Sequence, residues 1–218
     1  ILGIFVLLPF HAFFTTWAGA NFGHLDIFRV WKEILILFLG VGSLVILKSD
    51  AVLRKKVLGS RVVLYILLFF GLAMLRTIYG YQTKRISEEQ LLYGIIGNFR
   101  YLAFFLVAWV VASKSNLLQK YWAKAVLTPA FIVIIFGLLQ QSVLDKNFLT
   151  HFGYGPDTIP AFQSVDLKPQ YARLQSTLRG ANPLGAYLGF IAVVCADAWL
   201  RLKQKRLLIG ALSAGLFV

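Results

Sequence analysis

Two arginines stand close in the sequence to an Asn-Pro pair that can start a helix. Arg173 and Arg179 lie in one short polar stretch that ends at Asn182 and Pro183. Asn182 is a suitable N-cap, and Pro183 suits the first helical position because its missing N–H costs nothing there. The N–H groups and dipole of such a helix end attract anions, and guanidinium groups bind phosphate well. The pattern therefore predicts an anion site whose natural ligand is a phosphate.

Two further arginines lie on apolar stretches. Arg76 follows the basic residue Arg61 by 15 positions. Arg100 precedes the basic residue Lys114 by 14 positions. At about 1.5 Å per helical residue, each guanidinium lies roughly 21 to 23 Å from that basic end, within a hydrocarbon layer about 30 Å thick. Such an arginine lines a polar cavity or reaches back to the surface, and the pair near the helix start could equally contact lipid headgroups.

The elements that must position these residues are apolar. Of the 218 residues, 59% are hydrophobic and 14% are charged, and the mean hydropathy is +0.74. This balance is too apolar for a water-soluble domain. The net charge of +13 does not indicate nucleic acid, because the Lys and Arg residues form short clusters between apolar runs instead of one basic face. The predicted fold class is an all-α, polytopic transmembrane helix bundle.

A transmembrane helix needs about 20 predominantly apolar residues. The sequence predicts about six complete spans and a truncated seventh in a single integral membrane domain over 1–218. The first is read as a span because it has no basic leader typical of a signal peptide. Both chain ends fall within apolar stretches, so we expect a fragment truncated at both ends. The spans cover approximately 1–20, 34–47, 62–78, 91–112, 125–139 and 183–200, and the seventh begins at 207.

The distribution of Lys and Arg predicts the orientation of the spans. One alternate set of loops carries 12 Lys and Arg with two Asp, a net charge of +10, and the other carries ten with seven acidic residues, a net charge of +3. The positive-inside rule places the first set and the amino terminus in the cytoplasm. The long loop over 140–182 then faces outward. Its many apolar and aromatic residues favour an ordered segment over a solvated linker.

The chain offers no motif for a metal or a nucleotide. Cys195 is the only cysteine, and the three histidines are far apart, with no HExxH or CxxC spacing. No Walker-type loop or dinucleotide fingerprint follows a strand, which argues against ATP and NAD. We therefore expect neither a metal nor a cofactor.

The stretch over 173–188 resembles the O-antigen ligase and O-antigen polymerase superfamily. Members have an arginine, a Gly/Ser-Thr pair, an Asn-Pro pair and a span rich in small residues. A weaker likeness covers 148–157 with Pro160 and Asp166, and residue 184 is leucine where many relatives have a second asparagine. The matching positions of the stronger segment are Arg173, Ser176, Thr177, Asn182, Pro183 and Gly185.

The resemblance implies a metal-independent glycosyltransferase. Such an enzyme transfers a glycan from a polyprenyl-diphosphate carrier to a lipid or glycan acceptor on the outer side of the bacterial cytoplasmic (inner) membrane. Arg173 would be the catalytic residue that binds or polarises the diphosphate leaving group. In relatives the general base is a histidine in a later outward loop, which we expect beyond residue 218. The other residues expected at the diphosphate site are Arg76, Arg100, Thr177, Arg179 and Asn182.

Two alternative functions stay open on the sequence. A transporter or flippase for an anionic lipid or solute predicts inverted repeats and helices broken at mid-membrane, and the spans show no internal similarity. A non-enzymatic membrane scaffold would use its arginines only as anchors, so each would be dispensable. Ligase and polymerase differ in the acceptor, and the sequence identifies neither the acceptor nor the donor sugar.

Overall fold

The computed structural model describes residues 1–164 and 172–202. Helices make up 79% of the structure. Two short 3-10 segments, Leu8–Phe10 and Phe148–Phe152, and an antiparallel pair of two-residue strands, β1 (Gln163–Ser164) and β2 (Ala172–Arg173), complete the described elements. In chain order the helices are α1 (Leu2–Leu7), α2 (His11–Phe22), α3 (Leu25–Arg29), α4 (Trp31–Ser49), α5 (Ala51–Leu58), α6 (Arg61–Gln82), α7 (Glu88–Lys114), α8 (Leu117–Ser142) and α9 (Ala181–Leu202).

Within the described ranges, five helical segments are long and apolar enough to cross a membrane. They are Leu2–Phe22, α6, α7, α8 and the Ala181–Leu200 part of α9. A sixth is reached only if α4 and α5, which bend by 113° relative to each other, form one span. The all-α prediction is confirmed, and these helices are consistent with a membrane protein. The predicted seventh span lies outside the described residues.

The helices extend beyond the apolar stretches that predicted them. Hydropathy locates the hydrocarbon-facing part of a helix, whereas the backbone hydrogen bonds continue into its polar ends. α8 therefore reaches from Leu117 to Ser142, although the apolar pattern predicted only 125–139. α7 begins at a capping box, in which the Ser87 hydroxyl accepts from the Gln90 N–H and the Gln90 side chain accepts from the Ser87 N–H.

The described residues form two compact units, of which the first comprises residue 1 and Val30–Lys120. Two ion pairs show that α4 and α7 run parallel within it. Glu33 near the start of α4 pairs with Arg100 at 2.7 Å, and Asp50, directly after α4, pairs with Lys114 at 2.7 Å. Because Asp50 also accepts from the Leu53 N–H, it caps α5 as well.

The surface of α6 is apolar on nearly every side. In its 22 residues only Val63 is buried, while Leu72 and Phe69 are about two thirds exposed. A helix that is hydrophobic all round needs an apolar solvent or a covering partner. Lipid-facing helices show this exposure, because hydrocarbon and not water surrounds their apolar side chains.

The second unit comprises Leu2–Arg29 and the described residues from 121 onward. Its core lies between α8 and α9, where Val133 packs with Leu184, Leu188 and Ile191. All four side chains are at most 3% exposed. This packing holds the start of α9 against α8 and so defines where the preceding loop must end.

The segment after α8 is ordered against α2, as its aromatic content predicted. Leu149 is fully buried, and the Phe152 ring lies 5.0 Å from the Phe13 ring. Burial raises the pKa of the Tyr154 phenol, whose hydroxyl lies beside Thr16. These contacts fold the first half of the 140–182 loop back onto the helices.

Gly153 is the position at which this loop comes closest to α2. Its φ is +81°, and an added Cβ would lie 2.1 Å from the Ala20 Cβ. Gly153→Ala should destabilise the docked loop by about 2 to 4 kcal/mol, through left-handed strain and overpacking. Gly155→Ala is the matched control, because an added Cβ there meets nothing within 4 Å. Native-state proteolysis of the loop measures the difference, and equal cleavage rates in the two variants would contradict this packing.

Candidate functional site

Three consecutive buried polar residues anchor the stretch that carries both outer arginines. Gln175, Ser176 and Thr177 are at most 7% exposed. The Ser176 hydroxyl donates to the Val133 carbonyl at 2.7 Å, and the Ser176 N–H donates to the Gln140 side-chain oxygen at 2.8 Å. Both partners belong to α8, so this helix supports the stretch from below. Ser176 takes a left-handed φ of +51°, which lets one residue make both bonds.

Gln175 ties the same stretch to the preceding part of the loop. Its side-chain N–H groups donate to the carbonyls of Pro160 and Ala161 at 2.9 and 3.0 Å. A buried amide that bridges two backbone carbonyls removes freedom from both segments. These bonds hold residues 160, 161 and 175 together, and we call this part of the loop the loop platform.

Thr177 has an anchoring contact in this structure. Its hydroxyl donates to the Pro9 carbonyl at 3.0 Å and is buried. A hydroxyl has a single proton, so this bond leaves Thr177 none to donate to a phosphate. We therefore assign Thr177 to holding the loop on the 3-10 segment rather than to the diphosphate contact that the resemblance implied.

Arg173 lies on a two-stranded ribbon directly opposite Gln163. Side chains of directly opposed residues project from the same face of an antiparallel pair, with Cβ atoms about 5 Å apart. The Gln163 side-chain oxygen accepts from the Ala181 N–H at 3.3 Å. Arg173 is therefore the cross-strand neighbour of a side chain that contacts the start of α9.

The start of α9 differs from the prediction. The Gly180 carbonyl accepts from the Leu184 N–H at 3.1 Å, so Gly180 is the N-cap and Asn182 is already helical. The reason is close packing, because an added Cβ on Gly180 would lie 2.7 Å from the Gln163 amide. The predicted N-cap role of Asn182 is wrong. Pro183 is the third helical residue, still within the first turn that tolerates proline.

Few backbone donors stay open at this helix end. Gln163 takes the Ala181 N–H, Gly180 takes the Leu184 N–H, and Pro183 has none. Within the described residues, only the Asn182 N–H among these first four positions has no acceptor. The helix dipole still favours an anion there. Most of the donors for a phosphate must therefore come from side chains.

The cations around this end are accessible. Arg173 and Arg179 are exposed, and no acidic side chain in residues 1–164 or 172–202 forms a salt bridge with either. Asn182 is exposed as well. Lys146 adds a third positive charge in the same loop, with its ammonium 5.7 Å from the centre of the Phe162 ring. The two exposed guanidinium groups and the open Asn182 N–H are the groups in this stretch that are available to an anion.

Arg76 and Arg100 belong to the other compact unit. Arg100 pairs with Glu33, and its second terminal nitrogen lies 3.5 Å from the Tyr101 hydroxyl. Arg76 is exposed on α6, next to Thr77, which packs against Gly94. This contact places Arg76 roughly 8 Å along α7 from Arg100, about five helical residues. Arg100 thus has a carboxylate partner already.

Sequence reasoning missed Gln163 and Glu33. Gln163 is a loop glutamine 18 residues before Ala181, and Glu33 is 67 residues before Arg100. Neither contact follows a helical or strand period, so no local pattern reveals it. An arginine on an apolar helix was expected to pair with a carboxylate. The sequence has seven acidic residues on that predicted side, so it does not identify which one pairs with Arg100.

Comparison with known proteins gives no family for this chain. No protein-family model matches it, and neither a curated protein nor a solved structure matches it at a significant level.

Proposed function

We propose that this chain is part of a membrane glycosyltransferase of the O-antigen ligase or polymerase kind. It transfers a glycan from a polyprenyl-diphosphate carrier to an acceptor on the outer side of the bacterial cytoplasmic membrane. The observation that supports the proposal is an exposed Arg173, with no salt bridge among the described residues, on the ribbon whose other strand contacts the start of α9 through Gln163. The amino terminus then lies in the cytoplasm and the 140–182 loop outside.

The proposed chemistry is a substitution at the anomeric carbon. The bond between that carbon and the diphosphate oxygen breaks, and a bond to the acceptor oxygen forms. The acceptor's proton passes to a base, which the resemblance assigns to a histidine in a later outward loop. Negative charge develops on the departing diphosphate, and Arg173 and Arg179 stabilise it as preorganised cations. Fixed guanidinium groups can supply this stabilisation without a divalent metal.

A transporter or flippase for an anionic lipid is the second candidate. The observation that favours it is the Glu33–Arg100 pair, because ionisable residues on apolar helices often line transport pathways. The two functions differ in the state of the donor when the protein is lost. Loss of a transferase leaves lipid-linked glycan outside, whereas loss of a flippase leaves it inside.

Depletion of the protein in its native cells separates these outcomes. We expect lipid-linked glycan to accumulate on the outer face, where a glycosidase added to spheroplasts can remove it. Surface glycan of high mass should disappear at the same time. Accumulation of donor that the glycosidase reaches only after lysis would support the flippase and overturn the transferase.

The orientation has its own test in the accessibility of two introduced cysteines. Ser164→Cys in the loop should react with an impermeant maleimide in intact cells, because the segment faces outward. Lys55→Cys, on the exposed side of α5, should react only after permeabilisation. The natural Cys195 is buried and adds little background. Labelling in the reverse pattern would exclude the outward placement of Arg173.

A further inference from the structure

The first compact unit contains an apolar groove between α4, α6 and α7. Its volume is about 660 Å³. Leu37, Val41 and Leu44 line it from α4, and Phe99 and Val107 line it from α7. Leu37, Leu44 and Phe99 are more than 60% exposed, so the described protein leaves much of this apolar surface uncovered. Such an area in a chain of apolar helices calls for an apolar occupant.

One end of the groove is ionic. Glu33 and Arg100 both line it, and one Glu33 oxygen accepts from Arg100 at 2.7 Å and meets the Lys32 ammonium at 3.3 Å. The second Glu33 oxygen is buried and, among the described residues, has no hydrogen-bond partner. A buried carboxylate oxygen without a donor is costly, so a ligand that donates to it would be held there.

The dimensions of the groove indicate a lipid chain. Along α4 the lining runs from Glu33 to Leu47, 14 residues or roughly 21 Å at 1.5 Å per residue. The apolar lining therefore covers about two thirds of a hydrocarbon layer roughly 30 Å thick. A hydrocarbon tail entering at the Arg100 end has room to extend along α4 and α7. The Arg100 cation and the Glu33 anion at that end are then in position to bind the headgroup.

We propose that this groove binds one phospholipid whose headgroup carries both a phosphate and a primary ammonium, as in phosphatidylethanolamine. Arg100 keeps further N–H donors for the phosphate after its bond to Glu33. The ammonium donates to the unpartnered Glu33 oxygen. A choline headgroup has the same charges but no N–H to donate, and a glycerol headgroup has no cation. This groove shares no residue with the Arg173 stretch, and the proposed transferase function does not depend on it.

Two glycines of α4 provide a matched pair of variants. Gly40 lines the groove, and an added Cβ there meets nothing within 4 Å, so Gly40→Phe introduces a ring at the groove from an open backbone position. Gly42 is equally open but lies outside the groove lining, so Gly42→Phe adds the same ring elsewhere. A third variant, Glu33→Gln, removes the charge that the ammonium meets while keeping the size of the side chain.

The experiment is native mass spectrometry of the purified full-length protein after reconstitution in vesicles of equal parts phosphatidylethanolamine, phosphatidylcholine and phosphatidylglycerol. We expect one retained phosphatidylethanolamine in the wild type and in Gly42→Phe, and about tenfold less in Gly40→Phe. Glu33→Gln should lose about tenfold in phosphatidylethanolamine retention and then prefer the anionic phosphatidylglycerol.

Three results would overturn the proposal. The first is retention of the three lipids in equal amounts by the wild type. The second is unchanged phosphatidylethanolamine preference in Glu33→Gln. The third is a dimer that Gly40→Phe dissociates, which would make a second copy of the chain the occupant. Should Gly40→Phe fail to fold, the selectivity of the wild type against phosphatidylcholine still decides the question.

Discussion

Arg173→Ala should lower glycan transfer by roughly 10²- to 10³-fold, the usual effect of removing one preorganised group that stabilises developing negative charge. The side chain is exposed on β2, so its loss should leave membrane insertion and protein level unchanged. The measurement is the rate at which polyprenyl diphosphate is released from the donor by membranes containing equal amounts of each variant. Full activity in Arg173→Ala would remove the catalytic assignment.

Arg173→Lys distinguishes geometry from charge. A lysine keeps the positive charge but cannot form the paired N–H bonds of a guanidinium, so this variant should stay well below wild type. Arg85→Ala is the matched control, because Arg85 is an exposed arginine on the same predicted side of the membrane. Equal losses in Arg85→Ala and Arg173→Ala would indicate a general effect of surface charge and contradict a site at Arg173.

Gln175→Glu should destabilise the loop platform by about 2 to 4 kcal/mol, although the two side chains have nearly the same shape. Gln175 is 1% exposed and donates to two carbonyls. Glutamate replaces both donors with a buried negative charge facing those carbonyls. At low pH the protonated carboxyl regains one O–H donor, so the deficit should shrink as the pH falls. Native-state proteolysis of the 143–180 segment over a pH series measures both effects.

Gln140→Glu is the same substitution with the opposite expected result. The Gln140 side chain accepts from the Ser176 N–H at 2.8 Å, and a carboxylate accepts such a bond at least as well. We therefore expect Gln140→Glu to retain the wild-type resistance of the loop to protease. Equal protease sensitivity of the two variants would contradict the assignment of Gln175 as a donor and Gln140 as an acceptor.

The fold class was predictable because a chain in lipid must make all its backbone hydrogen bonds internally, as a helix does. A run of about 20 apolar residues is enough to recognise such a helix in the sequence. The sequence did not predict where helices end. The start of α9 depends on a tertiary contact between Gly180 and the Gln163 amide, and the start of α7 depends on the side chains of Ser87 and Gln90. Apolar periodicity contains no information about either.

The charged residues of the candidate site could be predicted from the sequence, whereas the hydrogen bonds that hold its loop in place could not. The Arg173 and Arg179 pair beside an Asn-Pro helix start is visible in the sequence, and in the structure Arg173 is paired with Gln163, whose side chain contacts that helix end. Thr177 was expected to contact the diphosphate because of its position in the stretch that resembles the O-antigen ligase superfamily. Its bond to the Pro9 carbonyl, 168 residues away in sequence, could be known only from the fold.

The central claim is that Arg173 binds the diphosphate. Its most direct test is titration calorimetry, in detergent, of polyprenyl diphosphate binding to the purified full-length protein. A charged hydrogen bond of this kind predicts affinity about ten- to a hundredfold weaker in Arg173→Ala than in wild type and Arg85→Ala. Affinity for the uncharged polyprenyl alcohol should be the same in all three. Equal affinity of wild type and Arg173→Ala for the diphosphate would contradict the claim.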